Sequence, residues 1–413
     1  MRSIENNTYL VGGAVRDELL GRTVIEHDYL VVGVSQQTML ELGFVQVGKD
    51  FPVFLHPKTK DEYALARTER KQGQGYTGFV CYAEPDVTIE QDLLRRDLTI
   101  NAMARDSKGN IIDPYHGQQD LKAKLLRHVS PAFSEDPLRV LRVARFAARY
   151  HYLGFKVADE TMALMTTMVN QGELNALTPD RIWKEMSRAL LEDNPEVFVQ
   201  LLRDCGALKV IWPSLDKLFG VPNPIEHHGE VDSGIHTVMV LQQSVKFSDE
   251  LAVRFAALTH DLGKGLTPET DWPKHYGHEK RGLPLVKDIC KALRVPNQVR
   301  DLSLKVCEFH LHAHRAFELR PDTLLKMFDS LDAWRKPEQF AWFLTACHAD
   351  ATGRLGEEDS DYPQAEYLHK AHQLCASVDA REFVAQGLQG LQIKQAIHAK
   401  RLAIISDLKQ NLS

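Results

Sequence analysis

Short hydrophobic runs separated by turn residues occupy the first third of the chain. These runs are rich in β-branched, aromatic and leucine residues and are bounded by turn signals such as Asp113-Pro114. This pattern is typical of strands rather than helices. The predicted strands cover residues 29–32, 53–56, 63–66 and 111–112. We therefore expect a mixed α/β domain over residues 1–130.

Beyond residue 130 the hydrophobic residues follow the three-and-four-residue spacing of helices. The predicted helices cover residues 136–150, 181–191, 195–204 and 252–259. A break rich in Pro and Gly at residues 220–224 indicates a domain boundary. The expected fold class is therefore α+β, a mixed α/β N-terminal domain followed by helical regions at 131–225, 226–350 and 351–413.

Two glycines follow the apolar run at residues 9–11. Gly12 and Gly13 let the backbone turn tightly and approach a polyphosphate, and a helix that starts next would face that anion with its N-terminus. Arg16 falls in the first turn of that helix. This arrangement predicts a nucleotide site, although a glycine turn beside a solvated acidic loop would show the same residues.

Glu26 and Asp28 lie two positions apart, just before a predicted strand. In extended chain they point to the same side, because the strand period is two. Two carboxylates on one side can hold Mg²⁺, which neutralises charge in phosphoryl and nucleotidyl transfer. Glu62, on another predicted strand, is a third candidate, although an exposed edge glutamate would look the same.

The helix predicted after residue 136 carries arginines at spacings of three, three and four, namely Arg139, Arg142, Arg145 and Arg149. Asp136 shares a helix face with Arg139. A carboxylate acceptor beside a guanidinium donor complements the Watson–Crick edges of cytosine and adenine, but not those of uracil and guanine. The pattern favours a triphosphate clamp with a base-reading pair. The alternative is an amphipathic helix with a solvated basic face.

A His-Asp pair at His260 and Asp261 follows His236 by about two dozen residues. Histidine nitrogens and a carboxylate suit a divalent transition metal, which would polarise a phosphate ester and activate water. We expect no role at the metal for His312 and His314, since the chain has 18 histidines.

Composition limits the partners and the compartment. A net charge of −6 and a pI of about 6.3 require any RNA to be bound by a local basic stripe. The six cysteines show no C-x-x-C spacing, which indicates free thiols in a reducing compartment. No apolar run reaches the roughly 18 residues needed to span a bilayer. We therefore expect a cytoplasmic protein that does not use a membrane.

Four motifs, taken together, resemble a known family. They are residues 12–17 (Gly-Gly-Ala-Val-Arg-Asp), the acidic pair Glu26 and Asp28, residues 95–102, and residues 135–146. In this order they resemble the class II CCA-adding enzymes, or tRNA nucleotidyltransferases. The chain is most similar to the bacterial kind with an HD phosphohydrolase domain, whose motif matches residues 258–265. The resemblance implies a palm domain over 1–130, a neck and body over 131–225, an HD domain over 226–350 and a helical tail over 351–413.

The resemblance also implies roles for single residues. Nucleotide contacts fall to Gly13, Arg16, Arg96, Arg142 and Arg145, ribose sensing to Asp97, and base reading to Asp136 and Arg139. It implies Mg²⁺ at Glu26 and Asp28, with Glu62 resembling the family's third catalytic carboxylate. It also implies a divalent transition metal such as Ni²⁺ in the HD domain, where His278, His310 and Asp350 fall at the positions of further ligands in extended HD sites. The family's usual metal pair is Asp-x-Asp, so Glu26 is a departure that bears on metal geometry.

The expected function is therefore addition of C, C and A to the tRNA 3′ end from CTP and ATP, without a nucleic-acid template. The HD domain is expected to hydrolyse phosphate esters, as a 2′,3′-cyclic phosphodiesterase, 2′-nucleotidase or phosphatase. One alternative is a bacterial poly(A) polymerase, which would use ATP only. Another is a non-catalytic tRNA-binding module joined to an HD hydrolase. The sequence leaves open whether the protein is a monomer or a homodimer.

Overall fold

The computed structural model describes residues 4–47, 53–71, 79–224, 229 and 231–411. The chain forms two compact units, Met1–Ala189 with Val197–Ile211 and Leu190–Glu196 with Trp212–Ser413. The first unit combines a β-sheet with helices, and the elements described in the second unit are helices. The expected fold class is confirmed. The domain limits given above stay predictions.

A seven-stranded sheet organises the first unit, in the order β3-β4-β5-β2-β1-β8-β9. Strands β2 and β5 pair in parallel, whereas β1 pairs antiparallel with both β2 and β8. Two further pairs, β6 with β7 and β10 with β11, lie outside this sheet. The strands are β1 Thr8–Val11, β2 Asp28–Val31, β3 Val45–Val47, β4 Val53–Leu55, β5 Glu62–Leu65, β6 Thr68–Lys71, β7 Phe79–Tyr82, β8 Ala104–Arg105, β9 Ile111–Ile112, β10 Leu125–Leu126 and β11 Lys156–Val157.

Successive residues of β2 face different hydrophobic cores, as the strand period requires. Leu30 packs in one core with Leu93, and Val31 packs in another with Met39 and Phe54. The four predicted strands are confirmed with shifts of at most one residue. The sequence pattern did not predict the β6–β7 hairpin or the short β10–β11 pair.

The four predicted helices are confirmed, with boundaries shifted by at most two residues. Nineteen α-helices make up most of the remaining described chain. They are α1 Gly13–Leu19, α2 Gln36–Glu41, α3 Ile89–Leu94, α4 Gly117–Ala123, α5 Leu138–Tyr150, α6 Asp159–Asn170, α7 Pro179–Leu190, α8 Pro195–Asp204, α9 Ala207–Ile211, α10 Pro213–Asp216, α11 Ser233–Phe247, α12 Leu251–Thr259, α13 His278–Ala292, α14 Asn297–His314, α15 Pro321–Ser330, α16 Pro337–Thr352, α17 Pro363–Ala376, α18 Ala380–Ala385 and α19 Leu391–Gln410. Within the described ranges, no helix has the length and apolar character needed to cross a membrane.

Helix α5 begins where the Asp136 carboxylate accepts a hydrogen bond from the Leu138 N–H, at 3.1 Å. Such a bond satisfies one of the free N–H groups at a helix start. Val140, Val143 and Ala147 of α5 are buried. This burial fixes the helix so that its arginines point to the cleft described below.

Small and apolar residues let the helices of the second unit pack closely. Helices α11, α12 and α16 meet through buried Val240, Ala257 and Ala349. A Cβ atom added to Gly263 would lie 1.9 Å from the carbonyl oxygen of His278, at the start of α13. Only glycine lets these backbones approach so closely. The approach brings the segment that follows His260 and Asp261 against α13.

Candidate active site and metal centre

A cleft of about 630 Å³ in the first unit is lined by most of the residues that the sequence singled out. It gathers Gly12 and Gly13, four acidic residues and ten arginines. The acidic residues are Glu26, Asp28, Asp97 and Asp136, and the arginines are Arg16, Arg67, Arg95, Arg96, Arg139, Arg142, Arg145, Arg149, Arg181 and Arg188. Such an excess of guanidinium groups over carboxylates suits a polyanionic ligand.

The glycine turn admits an arginine at the cleft wall. Gly12 has a φ of 66°, and a Cβ atom there would lie 2.8 Å from Nη1 of Arg96. The same Nη1 donates to the carbonyl oxygen of Asn101 at 3.3 Å. Any residue with a side chain at position 12 would therefore be strained and would displace Arg96.

Arg16 is held by neighbouring side chains rather than left free in the cleft. Its Nε and Nη2 donate to the two oxygens of Asp17, each at 3.0 Å, and its Nη1 donates to Oδ1 of Asn101 at 2.5 Å. The guanidinium also lies over the Tyr150 ring, 5.1 Å from the centroid. These contacts fix the direction in which Arg16 presents its positive charge.

Two of the three candidate carboxylates for magnesium, Asp28 and Glu62, lie on adjacent parallel strands. Asp28 begins β2 and Glu62 begins β5, and the two residues are register partners. Paired residues of neighbouring strands project to the same face, which brings Glu62 near Asp28. Glu62 is nevertheless absent from the lining of the cleft, which includes Glu26 and Asp28.

The charge environment of Asp28 suits a cation. Partial burial raises the pKa of Asp28, Arg96 opposes this, and the like charge of Glu26 raises the pKa again. A bound divalent cation would relieve this repulsion, and oxygen-only donors are those that Mg²⁺ prefers. The residues present therefore fit a magnesium ion.

The arginines of α5 are paired with buried acidic groups. Arg142 Nε donates to Oδ2 of Asp97 at 2.7 Å, and Arg145 Nε donates to Oε2 of Glu185 at 2.6 Å. Asp97 also accepts from the Asn101 side chain at 2.9 Å. Burial raises the pKa of Asp97, but Arg142 and these hydrogen bonds hold it well below its usual range. Internal ion pairs therefore hold the side chains of Arg142 and Arg145 in place.

Asp136 and Arg139 both line the cleft, and each has a partner there. Oδ2 of Asp136 accepts from Nη2 of Arg181 at 2.8 Å. Arg139 donates to the carbonyl oxygens of Ala132 and Arg95, at 2.9 and 2.5 Å. Sequence reasoning missed Arg181 and Glu185, although their four-residue spacing places both on one face of α7.

Six buried side chains of the second unit come together from five segments. They form two groups, each with three ligand atoms within 4.8 Å of one another. Asp261 lies between the groups, with Oδ2 3.2 Å from Nε2 of His260 and Oδ1 3.0 Å from Nε2 of His278. One group comprises His236, His260 and Asp350, and the other comprises Asp261, His278 and His310. The structure thus brings together all six HD residues that the sequence predicted.

Backbone carbonyls fix the tautomer of each of the four histidines. Nδ1 donates to a carbonyl oxygen in every case: Gly353 for His236, Ala257 for His260, His275 for His278 and Val306 for His310, at 2.8 to 3.0 Å. A carbonyl can only accept, so Nδ1 carries the proton and Nε2 offers a lone pair. This is the arrangement found for metal-bound histidines.

Several atoms inside this cluster lack a hydrogen-bond partner. Nε2 of His260 and Oδ1 of Asp261 are buried without one. The Nε2 atoms of His278 and His310 lie 3.1 Å apart, and both face inward as acceptors. Buried acceptors facing one another are costly unless a cation lies among them. Nζ of Lys264 lies 2.6 Å from Oδ2 of Asp261, and this positive charge stabilises the anionic carboxylate. The donor set therefore fits divalent metal.

His314, for which the sequence indicated no role at the metal, lies outside the two groups of candidate ligands but contacts one of their members. Its Nε2 lies 2.7 Å from Oδ2 of Asp350, one of the candidate ligands. No sequence signal distinguished His314 from His312, because only the fold brings α14 against α16. His312 instead packs against the Phe309 ring, with 5.6 Å between the centroids.

Family models match both the sheet-containing part and the helical part of the chain. The poly A polymerase head domain family matches residues 8–127, the probable RNA and SrmB-binding site of polymerase A matches 154–219, and the HD domain family matches 234–334. The multifunctional CCA protein of Thioalkalivibrio sulfidiphilus is 59% identical over 97% of this chain and 98% of its own length. That of Shewanella frigidimarina is 58% identical, over 97% of each.

Solved structures share the fold at low sequence identity. A CCA-adding enzyme in complex with CTP superposes with a TM-score of 0.63 and 20% identity, covering 98% of this chain and 91% of that one. The Thermotoga maritima CCA-adding enzyme complexed with tRNA superposes with a TM-score of 0.60 and 19% sequence identity, covering 98% of this chain and 91% of that one. The fold and the two sites define a nucleotidyltransferase head joined to an HD domain. The chain belongs to the multifunctional CCA proteins, the bacterial CCA-adding enzymes that carry an HD domain.

Proposed function

We propose that this protein adds C, C and A to the 3′ end of tRNA from CTP and ATP, without a nucleic-acid template. The observation that carries the proposal is the cleft that gathers ten arginines together with Glu26 and Asp28. In the reaction, the tRNA 3′-hydroxyl attacks the α-phosphorus, and pyrophosphate leaves. Magnesium held by Glu26 and Asp28, with Glu62 beside them, would neutralise charge on the triphosphate.

The arginines and their partners orient the nucleotide. Arg96 lies at the Gly12 turn, and Arg142 and Arg145 project from α5 into the same cleft. Their ion pairs leave further N–H groups to donate to phosphate oxygens, since each guanidinium has five. Asp97, beside Arg142, is the group we assign to the ribose. Preorganised donors of this kind stabilise charge that develops during transfer.

Asp136 and Arg139 are the pair we assign to the base. The carboxylate keeps acceptor capacity beyond its bonds to Leu138 and Arg181. It would accept from the amino group of cytosine or adenine, while Arg139 donates to the adjacent ring nitrogen. Uracil and guanine present a carbonyl and a ring N–H at these positions, so the same pair disfavours them.

We further propose that the HD cluster would hold divalent transition metal through its six buried ligand side chains. One candidate ligand set is His236, His260 and Asp350, and the other is Asp261, His278 and His310. Bound metal would polarise a phosphate ester and supply an activated water. The chemistry fits hydrolysis of 2′,3′-cyclic phosphodiesters, 2′-nucleotides or phosphate monoesters, with Ni²⁺ as one candidate metal.

One assay separates these proposals from the alternatives. Purified protein is incubated with tRNA lacking CCA and with labelled CTP alone, ATP alone or both. Two cytidines with CTP alone, and complete ends with both, support CCA addition. A homopolymer from ATP alone would indicate a poly(A) polymerase. Absence of labelling with every nucleotide, beside hydrolysis of a 2′,3′-cyclic nucleotide, would indicate a non-catalytic module joined to an HD hydrolase.

A further inference from the structure

His314 lies outside the six proposed metal ligands but contacts one of them. Its Nε2 lies 2.7 Å from Oδ2 of Asp350, whereas Oδ1 of the same carboxylate lies 3.1 Å from Nε2 of His236. The two oxygens of Asp350 therefore face different partners. Oδ1 faces the metal cluster, and Oδ2 faces His314. His314 is one helical turn beyond His310 on α14, which places both rings on one helix face.

The directions of the hydrogen bonds around His314 follow from chemistry. A carboxylate oxygen accepts, so Nε2 of His314 carries a proton. The neutral ring then has its lone pair on Nδ1, and the Tyr362 hydroxyl lies 3.0 Å from that atom. Burial raises the pKa of the Tyr362 phenol above its usual range, so the hydroxyl keeps its proton and donates. A continuous chain of donors runs from Tyr362 through His314 to Asp350.

The backbone of His314 is also held. Its carbonyl oxygen accepts from Nε2 of Gln364 at 3.2 Å. Tyr362 and Gln364 lie on either side of the first residue of α17, Pro363. The start of α17 therefore contacts both the ring and the main chain of His314. These contacts leave the imidazole one orientation, the one that donates to Asp350.

We propose that His314 is a positioning residue for the HD metal centre, holding Asp350 with Oδ1 turned toward the ions while Tyr362 holds the His314 ring. This inference rests on the proposed metal site. A hydrogen bond to a metal-bound carboxylate fixes its orientation and reduces the entropy that metal binding must remove. Loss of such an outer partner typically lowers metal affinity about 10- to 100-fold.

Three variants separate positioning from packing. His314→Ala removes the donor and the ring. His314→Gln keeps an N–H donor at similar reach but loses the aromatic ring. Tyr362→Phe keeps the ring shape beside His314 and removes only the hydroxyl. His312→Ala, two residues earlier on α14, is the matched control, because its ring packs on Phe309.

The test is calorimetric titration of the full-length protein with Ni²⁺ after metal has been removed with a chelator, with thermal unfolding to check folding. We expect His314→Ala to weaken Ni²⁺ binding about 10- to 100-fold. His314→Gln should recover most of the loss, Tyr362→Phe should give an intermediate loss, and His312→Ala should match the wild type.

Unchanged affinity in His314→Ala beside normal wild-type binding would overturn this inference alone. Equal losses in His314→Gln and His314→Ala would also overturn it, because they would indicate packing. A wild-type protein that binds no Ni²⁺ would overturn the proposed nickel-binding site and this inference with it.

Discussion

Asp97 and Arg142 join two segments of the cleft through an ion pair in which the carboxylate is buried and the guanidinium is partly exposed. The Asp97 carboxylate, preceding the turn at residues 99–101, accepts from Nε of Arg142 on α5 at 2.7 Å. It also accepts from the backbone N–H of Leu98 at 2.8 Å. The pair thus connects the edge of the sheet domain to the arginine helix, and stability and nucleotide binding should both depend on it.

Asp97→Asn should lower the free energy of unfolding by about 2–3 kcal/mol, since Arg142 would lose its buried partner yet remains partly exposed. Because the folded pKa of Asp97 is lowered, this contribution is present above the unfolded pKa of about 3.9 and is lost as pH falls through the folded value. Urea titrations of the wild type and of Asp97→Asn at several pH values measure the difference in their free energy of unfolding. The difference should shrink below pH of about 4. A difference that stays constant with pH would contradict the ion-pair explanation. Asp379→Asn, which removes the carboxylate of the exposed ion pair with Arg381, serves as the control.

Asp28→Ala should abolish nucleotide addition. Loss of a carboxylate ligand removes charge stabilisation worth several kcal/mol. Hydrolysis of a cyclic nucleotide at the HD site should persist, which makes it the internal control. Glu26→Asp should keep activity and can raise it, since it restores the family's usual ligand. A hundredfold fall in Glu26→Asp would show that the cleft has adapted to glutamate.

Asp136→Ala should reduce discrimination against UTP and GTP. Each lost base-edge contact is worth about 1–3 kcal/mol, so the ratio of kcat/KM for CTP over UTP should fall about 5- to 150-fold. Phosphate binding through Arg96 and Arg145 should largely remain. An equal loss for all nucleotides, with base preference unchanged, would mean that Asp136 only starts α5 and holds Arg181.

The double variant His260→Ala and Asp261→Ala should lose bound metal and HD hydrolysis. Both residues belong to the cluster, and metal affinity falls steeply as ligands are lost. CCA addition to an undamaged tRNA should stay within a few-fold of the wild type. Elemental analysis measures the bound metal, and a hydrolysis assay with a 2′,3′-cyclic nucleotide measures the HD activity of the variant and the wild type. Unchanged metal content would show that the two residues only pack.

Gly263→Ala should destabilise the second unit, whereas Gly265→Ala should be tolerated. A Cβ atom at position 263 would lie 1.9 Å from the His278 carbonyl oxygen, and one at position 265 would lie 3.6 Å from its nearest neighbour. Forced overpacking costs about 1–3 kcal/mol or more. Thermal unfolding of the two variants checks this. Similar melting temperatures for both would contradict the close approach.

The sequence predicts local structure well where one physical rule dominates. The β-rich apolar run at residues 29–32 predicts β2, and arginines three apart among apolar residues predict α5. The His260-Asp261 pair was also predictable as part of the HD cluster, because the two residues are adjacent and belong to a recognisable motif. Each of these signals is contained in a short stretch of chain.

Contacts between distant residues could not be predicted in this way. Arg181 meets Asp136 from 45 residues away, and His314 meets Asp350 from 36 residues away. Neither residue has a local pattern that sets it apart from other arginines or histidines. Their roles depend on how α7 packs near α5 and α14 near α16, which only the folded chain defines.

The most direct test is to sequence the 3′ ends of tRNA lacking CCA after incubation with the protein, Mg²⁺ and all four nucleoside triphosphates. The account predicts addition of C, C and A in that order, little U or G, and no further extension. The Asp28→Ala variant should leave the ends unchanged. Long adenosine tails, random incorporation of all four nucleotides, or equal addition by Asp28→Ala would contradict it.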